Sequence, residues 1–311
     1  MKNNFDFYDR TSLKSYNLDE SMRYQLNMLG NLDVFTRKHC ENVASLTCRL
    51  CEHLHCNKGF TEYCTICAYL HDIGKLFIPA EVLQKPGKLT DEEYEIMKKH
   101  TTLGYKMCME DLKLRPYAAG ALYHHEALNG SGYPQGLTKK DIPYEGQIIR
   151  VADEYDAIVS KRQYKSHIGI SDTLKILIEN ATPNNPNAKI PNLGKNNPAR
   201  VRKLFKVVIE DIEYEISLTQ SYVDELNDEL KRFKQINKYK EQMEKSKKDK
   251  DKNYYLEGMK MLLKNNETLE NYNDIFEEYK KAYDTRKAAI DNLYNEIKII
   301  KKLKIWRKET M

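Results

Sequence analysis

The chain has 311 residues, 41% of them hydrophobic, and its 51 Lys and Arg nearly balance 46 Asp and Glu to a formal net charge of +5. That is enough apolar material for a buried core, while the small net charge gives no electrostatic reason to expect DNA, RNA or an anionic membrane as a partner. No run approaches the roughly 18 apolar residues of a membrane span, and "MKNNFDFYDR" has no apolar signal core, so a cytoplasmic location is expected.

From about Ser21 to Lys113 apolar residues recur at intervals of three and four, as in "LDVFTRKHCENVASLTCRLCEHL", which predicts helices. Cys48-x-x-Cys51 and Cys64-x-x-Cys67 have the outline of a four-thiolate zinc site. Both pairs, however, fall in helix-like text, where this spacing marks one packed face, so they read as small buried apolar residues. All seven cysteines are expected to be reduced thiols. Thr90-Asp91-Glu92-Glu93 is a capping-box start for a helix that should run on through "EEYEIMKKHTTLGYKMCMEDL".

A second helical set follows in "PYAAGALYHHE", "YEGQIIRVADEYDAIVSKRQY" and "SDTLKILIE", flanking a Gly/Pro/Asn loop at about 129–143. "NATPNNPNAKIPNLGKNNPAR" must be an irregular excursion, and "VRKLFKVVIEDI" returns to helix. No alternating Val or Ile run suggests a sheet, so the fold class is all-α. Three parts are expected: an extension over 1–20, a main domain over 21–210, and a helical region over 211–311.

In that last region apolar residues fall on heptads: Ile216, Val223, Leu226, Leu230 and Phe233, then Leu269, Tyr272, Phe276, Tyr279, Tyr283, Ile290, Leu293, Ile297 and Ile300. Between the two runs "EKSKKDKDKN" has nothing apolar to bury. Two long helices folded back around that polar tip are expected. The rival is a continuous rod that dimerises, and Arg286 and Lys304 at core positions leave the pairing mode open. Self-association or docking to another helical protein through 211–311 is the implied role.

Eight histidines are present, and two of them stand side by side in "LYHHEALNGSGYPQGL". Imidazole is the commonest nitrogen ligand of transition metals, but His124 and His125 alone are weak evidence. The rest of the inventory strengthens it: His39 in "TRKHCENV", His71-Asp72 in "YLHDIGKLFIP", His100 in "MKKHTTLG" and Asp153 in "IIRVADEYDA". Each belongs to a separate predicted helix, so five helices can aim seven ligands at one centre, as carboxylate-bridged dimetal sites in helical folds do. His53 and His55 read as surface or capping residues near a helix end, and His167 has no assigned role.

This ordered series resembles the metal-binding set of the HD superfamily of phosphohydrolases, and "HDIGK" with "HHEALNGSGYP" resembles the double signature of its HD-GYP branch. The likeness covers roughly residues 21–210. It implies an all-α core, a non-haem centre of two divalent ions, iron or manganese, and hydrolysis of cyclic di-GMP to the linear dinucleotide or GMP. By this resemblance Asp72 bridges the two metals. His39, His71 and Asp153 complete one ion, and His100, His124 and His125 the other. Lys75 approaches a phosphate oxygen, Gly132, Tyr133 and Pro134 line the substrate cleft, and Arg162 and Lys165 lie near the nucleotide phosphates.

Phe35 stands where some members carry a glutamate, which favours two metals over three, and Asn129 stands where an aspartate is common. The chemistry agrees with these roles, because two neighbouring cations acidify a shared water for attack on phosphorus and nearby Lys and Arg side chains neutralise phosphate charge. Two alternatives remain open from the sequence: a phosphohydrolase acting on another nucleotide, and a signalling adaptor that binds a cyclic dinucleotide without cleaving it.

Overall fold

The computed structural model describes residues 30–160, 169–264 and 266–303. Arg162, Lys165, His167 and Lys304 lie outside the described residues. Among the described residues there is no strand, only an isolated bridge between Asn129 and Thr138. Two compact units are present, one within Met1–Ile209 and Ile299–Met311, the other Glu210–Lys298.

The first unit begins with α1 (Val34–His53), where the Asp33 carboxylate accepts from Phe35 N and Thr36 N, both at 3.0 Å, and so satisfies two amides of the first turn. His53 lies in its last turn, and the exposed His55 takes a positive φ of 57° just beyond it. Asn57 caps α2 (Lys58–Leu70) in the same way as Asp33 caps α1. Cys48, Cys51, Cys64 and Cys67 are all fully buried, and the thiols of Cys51 and Cys64 meet. Cys40, Ile66, Leu70, Ile73, Cys108 and Leu114 form the apolar cluster beneath α2, and each aliphatic side chain buried there contributes about 1.5–3 kcal/mol.

A 3-10 turn (Ile73–Phe77) and a short α3 (Ala80–Leu83) lead to α4 (Asp91–Lys98), whose capping box forms as expected: Thr90 N to Glu93 Oε2 at 2.7 Å and Glu93 N to Thr90 Oγ1 at 3.3 Å. The helix does not run on, and α5 (His100–Glu110) begins after a break at Lys99. Two side chains cause the break by taking carbonyls that amides would otherwise use. His100 Nδ1 bonds Met97 O at 2.7 Å and Thr101 Oγ1 bonds Lys98 O at 2.9 Å, whereas Lys99 O accepts from Thr102 Oγ1 at 3.0 Å and keeps the amide of Leu103 at 2.9 Å, which starts the next helix.

After a second 3-10 turn (Arg115–Tyr117), α6 (Ala118–Tyr123) stops just before the paired histidines. Then come α7 (Tyr144–Ser160) and α8 (Ile170–Ala181). The Asn/Pro-rich excursion, 182–197, is irregular but anchored. Ile190 N donates to Asn129 O and Leu128 N to Lys195 O, both at 3.0 Å, and the Lys189 ammonium donates to Gly136 O. Asn196 accepts from Arg150 Nε at 2.9 Å and, with Asn180, donates to Glu154.

The second unit contains most of α9 (Pro198–Lys245), with α10 (Asp249–Leu262) and α11 (Tyr272–Lys302). Phe233, Ile236, Met259 and Tyr272 form its core, and the Phe233 ring lies 5.8 Å from Phe276 and 5.7 Å from Tyr279. α9 and α11 therefore pair within one chain. Heptad residues Ile216, Val223, Leu230, Phe233, Tyr272, Ile290, Ile297 and Ile300 are buried, whereas Arg286 is exposed.

The polar tip differs from expectation. The reversal occupies only 246–248, and half of the charged tract belongs to α10, an additional helix. α10 returns along α9 with Tyr255 against Tyr239 and Met259 in the core. Arg232 fixes its far end through Leu262 O at 2.7 Å and both oxygens of Glu267 at 2.6 Å.

Candidate metal centre

Five helices bring the seven nominated ligands to one place. His39 lies on α1, His71 ends α2 with Asp72 directly after it, His100 opens α5, His124 and His125 follow α6, and Asp153 lies on α7. Asp72 stands at the middle. Its Oδ2 is 3.3 Å from His71 Nε2 and 3.7 Å from His39 Nε2, while its Oδ1 is 3.4 Å from His100 Nε2 and 3.9 Å from His124 Nε2. Asp153 Oδ1 is 3.0 Å from His39 Nε2, and its Oδ2 is 3.8 Å from His125 Nδ1. The donor atoms of His39, His71 and Asp153 lie within 4.8 Å of one another, and so do those of His100, His124 and His125.

Backbone carbonyls set the imidazole orientations. Nδ1 donates to Ala68 O from His71 (2.6 Å), to Met97 O from His100 (2.7 Å) and to Gly120 O from His124 (2.9 Å), which turns each Nε2 lone pair toward Asp72. Burial is the largest influence on His100, His124 and His125 and holds all three below the usual imidazole range, His125 at about 3. These rings are neutral near pH 7 and have a lone pair to give.

For Asp72, burial alone would favour the protonated acid. Lys75, His71 and His100 outweigh it, and the carboxyl stays well below the ordinary range. Asp153 is likewise held low, chiefly by His39 and His125 against burial. His39 moves the other way, since bonds to Asp153 and Asp156 overcome its burial and raise it to about 10.

One atom tests whether these residues suit a metal. His71 Nε2 is buried and has no hydrogen-bond partner, although carboxylate oxygens stand on two sides of it. A buried lone pair facing ionised carboxylates is stranded unless a cation lies between them. Imidazole nitrogens with ionised carboxylate oxygens suit a divalent transition ion, which would take the place of the proton that His39 shares with Asp153, so the fit is good. Cys40 Sγ also lies within 4.8 Å of donor atoms on His71 and Asp72, but burial pushes its thiol up, and a protonated thiol is a poor ligand.

The signature turn closes one side of the centre. Tyr133 N donates to His125 O at 3.2 Å, and the Tyr133 ring stacks on His125 with centroids 4.6 Å apart and planes at 24°. The Tyr133–Pro134 peptide is cis. At Gly132 a Cβ would come within 2.3 Å of Ala127 N and 2.4 Å of His125 O, so only hydrogen fits. Asn129 Oδ1 accepts from Ser131 N and Oγ, and so keeps the turn that an aspartate would make. The Lys75 ammonium reaches Asp72 Oδ2 at 2.5 Å and is raised by that carboxylate in spite of burial.

Two residues that sequence reasoning passed over support this arrangement. Asp156, one helical turn after Asp153, accepts from His39 Nδ1 at 2.7 Å and from Asn42 Nδ2 at 3.1 Å. Its signal was the three-residue spacing from Asp153, which puts both carboxylates on one face of α7. Asp156→Ala leaves His39 without that acceptor, and metal affinity should fall about 10- to 100-fold, measured by competition with a chelator. Glu126 is 1% exposed and accepts from Gln135 N at 2.7 Å and Leu137 N at 2.8 Å, which ties the turn to the histidine pair. Glu126→Gln aims an amide donor at one of these donors. It should cost about 1–3 kcal/mol in denaturant unfolding.

Residues 23–184, more than half of the chain, match the HD domain family. The chain belongs to that family, in its HD-GYP branch. It is 46% identical over 144 residues to a cyclic di-GMP phosphodiesterase of Thermotoga maritima, a match over 45% of this chain and 39% of the relative. It is 39% identical over 132 residues to the cyclic di-GMP phosphodiesterase response regulator RpfG of Xanthomonas campestris, over 42% and 35% of the two chains. A third relative, the 3'3'-cGAMP-specific phosphodiesterase 1 of Vibrio cholerae, is 32% identical over 163 residues, over 51% and 38%. The chain thus spans well under half the length of these curated relatives. Among the described residues no helix is long and apolar enough to cross a membrane.

Proposed function

We propose that this protein is a metal-dependent phosphodiesterase that hydrolyses cyclic di-GMP to the linear dinucleotide or GMP. The observation that carries the reading is the setting of Asp72, whose two oxygens face separate imidazole groups on opposite sides of one buried carboxylate. We assign His39, His71 and Asp153 to one divalent ion and His100, His124 and His125 to a second, with Asp72 shared and iron or manganese as the metal. Such a pair supplies an acidified water and positive charge for the phosphate oxygens.

The protein's own groups do the rest. Lys75 brings a cation to the edge of Asp72, where phosphate charge grows in the transition state. Tyr133, with Gly132 and Pro134, walls the cleft beside His125. Asp156 holds the His39 ring. Arg162 and Lys165 complete the reading as phosphate contacts. Residues 21–210 form the hydrolase domain of a cytoplasmic protein, and 211–311 a helical region for self-association or a helical partner.

A purified sample loaded anaerobically with iron or manganese should convert cyclic di-GMP to products resolved by chromatography. The name of the Vibrio cholerae relative supports a second substrate, 3'3'-cGAMP, and belongs in the same assay. Preferential cleavage of that nucleotide would replace the substrate, whereas tight binding without any product would make the chain an adaptor.

A further inference from the structure

Helix α4 ends two residues before His100 and carries Tyr94 and Lys98, four positions apart on one face. Tyr94 is 47% exposed, and its ring meets Tyr133 edge-on, with centroids 6.2 Å apart and planes at 80°. Tyr133 in turn stacks on His125. The Lys98 ammonium lies 5.5 Å from the Tyr94 centroid and 5.8 Å from that of Tyr133, above the junction of the two rings. Its partner Glu95, at 2.5 Å, has a side chain 66% exposed, so water competes for that ion pair.

A single exposed tyrosine needs no explanation. This one continues a line of aromatic contacts that starts at a metal-directed imidazole, and it shares a cation with the next ring in that line. A cyclic dinucleotide has two phosphodiesters and two purines, of which only one diester can occupy the metal centre. The other phosphate and its base must be held by groups beside the centre. A ring with a face open to solvent accepts any purine by stacking, and an adjacent ammonium supplies a charge-assisted bond to phosphate.

We infer that Tyr94 and Lys98 form a substrate subsite, in which Tyr94 stacks a purine and Lys98 pairs with the phosphate that is not being cleaved. The inference rests on the cyclic-dinucleotide reading above. It makes both residues determinants of KM rather than of the chemical step.

The test compares Tyr94→Leu, Tyr94→Phe and Lys98→Met in the full chain, each with its metal content measured. Two substrates are used: cyclic di-GMP, and methyl p-nitrophenyl phosphate, whose only ring is its leaving group. Tyr94→Leu should raise KM for cyclic di-GMP about 5- to 100-fold with kcat within about threefold of wild type. Tyr94→Phe should restore the wild-type KM, because stacking needs the ring and not the hydroxyl. Lys98→Met should raise KM and weaken its dependence on salt. None of the three should alter turnover of the small diester.

Unchanged KM in both Tyr94→Leu and Lys98→Met would overturn the subsite, and so would equal losses on both substrates, which would make α4 a support of the centre only. If wild-type protein cleaves the small diester but no cyclic dinucleotide, the substrate reading itself fails and takes the subsite with it. Cleavage of cyclic di-GMP with unaltered KM in the variants sinks the subsite alone.

Discussion

Asp72→Ala is expected to strip metal from both halves of the centre and to lower phosphodiester turnover by at least about 1,000-fold. Loss of one well-placed electrostatic group in an active site costs roughly 100- to 1,000-fold. Asp72 faces four imidazoles and Lys75, so its removal disturbs more than one such group. The variant also strands the Lys75 ammonium, and Asp72→Asn, which keeps the shape, separates that packing effect from the loss of charge. Elemental analysis of the purified variants, together with product chromatography, reads the result. Retention of two ions per chain in both variants would show that Asp72 does not join the two ligand groups.

Gly74→Ala should be the most damaging change that removes no ligand, costing about 3 kcal/mol or more in denaturant unfolding. A Cβ at this position would lie 1.9 Å from His100 O, 2.5 Å from Gly104 N and 2.9 Å from Gly104 Cα, all backbone atoms of α5. No side chain can swing aside to relieve that contact, so α5 must move away from the 3-10 turn. α5 carries His100, and the turn begins right after Asp72, which means the displacement separates His100 from the carboxylate proposed to join the two ions. Metal affinity should fall along with stability. Gly104→Ala is the matched control, because its nearest contacts are 3.0 Å to Gly74 N and 3.1 Å to Ala121 Cβ, and a smaller shift accommodates them. Equal unfolding midpoints for wild type and Gly74→Ala would refute the close packing described.

The helices were legible because they rest on local rules, and the seven residues that the structure brings together were legible because the ordered histidine and aspartate series could be matched to a family. Apolar periodicity marks α1 and α2, Thr90 and Glu93 announce the start of α4, and heptads mark α9 and α11. What could not be read depends on pairings distant in sequence or on competition within one turn. The break at Lys99 arises because two consecutive side chains, His100 and Thr101, take carbonyls from the amides of the next turn, and helical periodicity runs through it undisturbed.

Asp156 looks like any polar residue on an amphipathic helix until His39, 117 positions away, is placed against it. α10 was hidden by the charges around its start, although Tyr255, Met259 and Leu262 follow helical spacing just beyond them. Arg162 and Lys165 rest on resemblance alone.

The anchoring of the excursion has a consequence for where this domain ends. The last of the proposed ligands is Asp153, and the stretch shared with the family stops at residue 184. Yet the amide of Leu128 and the carbonyl of Asn129 find their partners at Lys195 and Ile190, and Asn196 braces Arg150 and Glu154 on α7. A polypeptide cut at the family boundary would keep all seven proposed ligands and lose the bonds that brace the signature loop and α7 from behind. A fragment that keeps this bracing must therefore extend past Asn196.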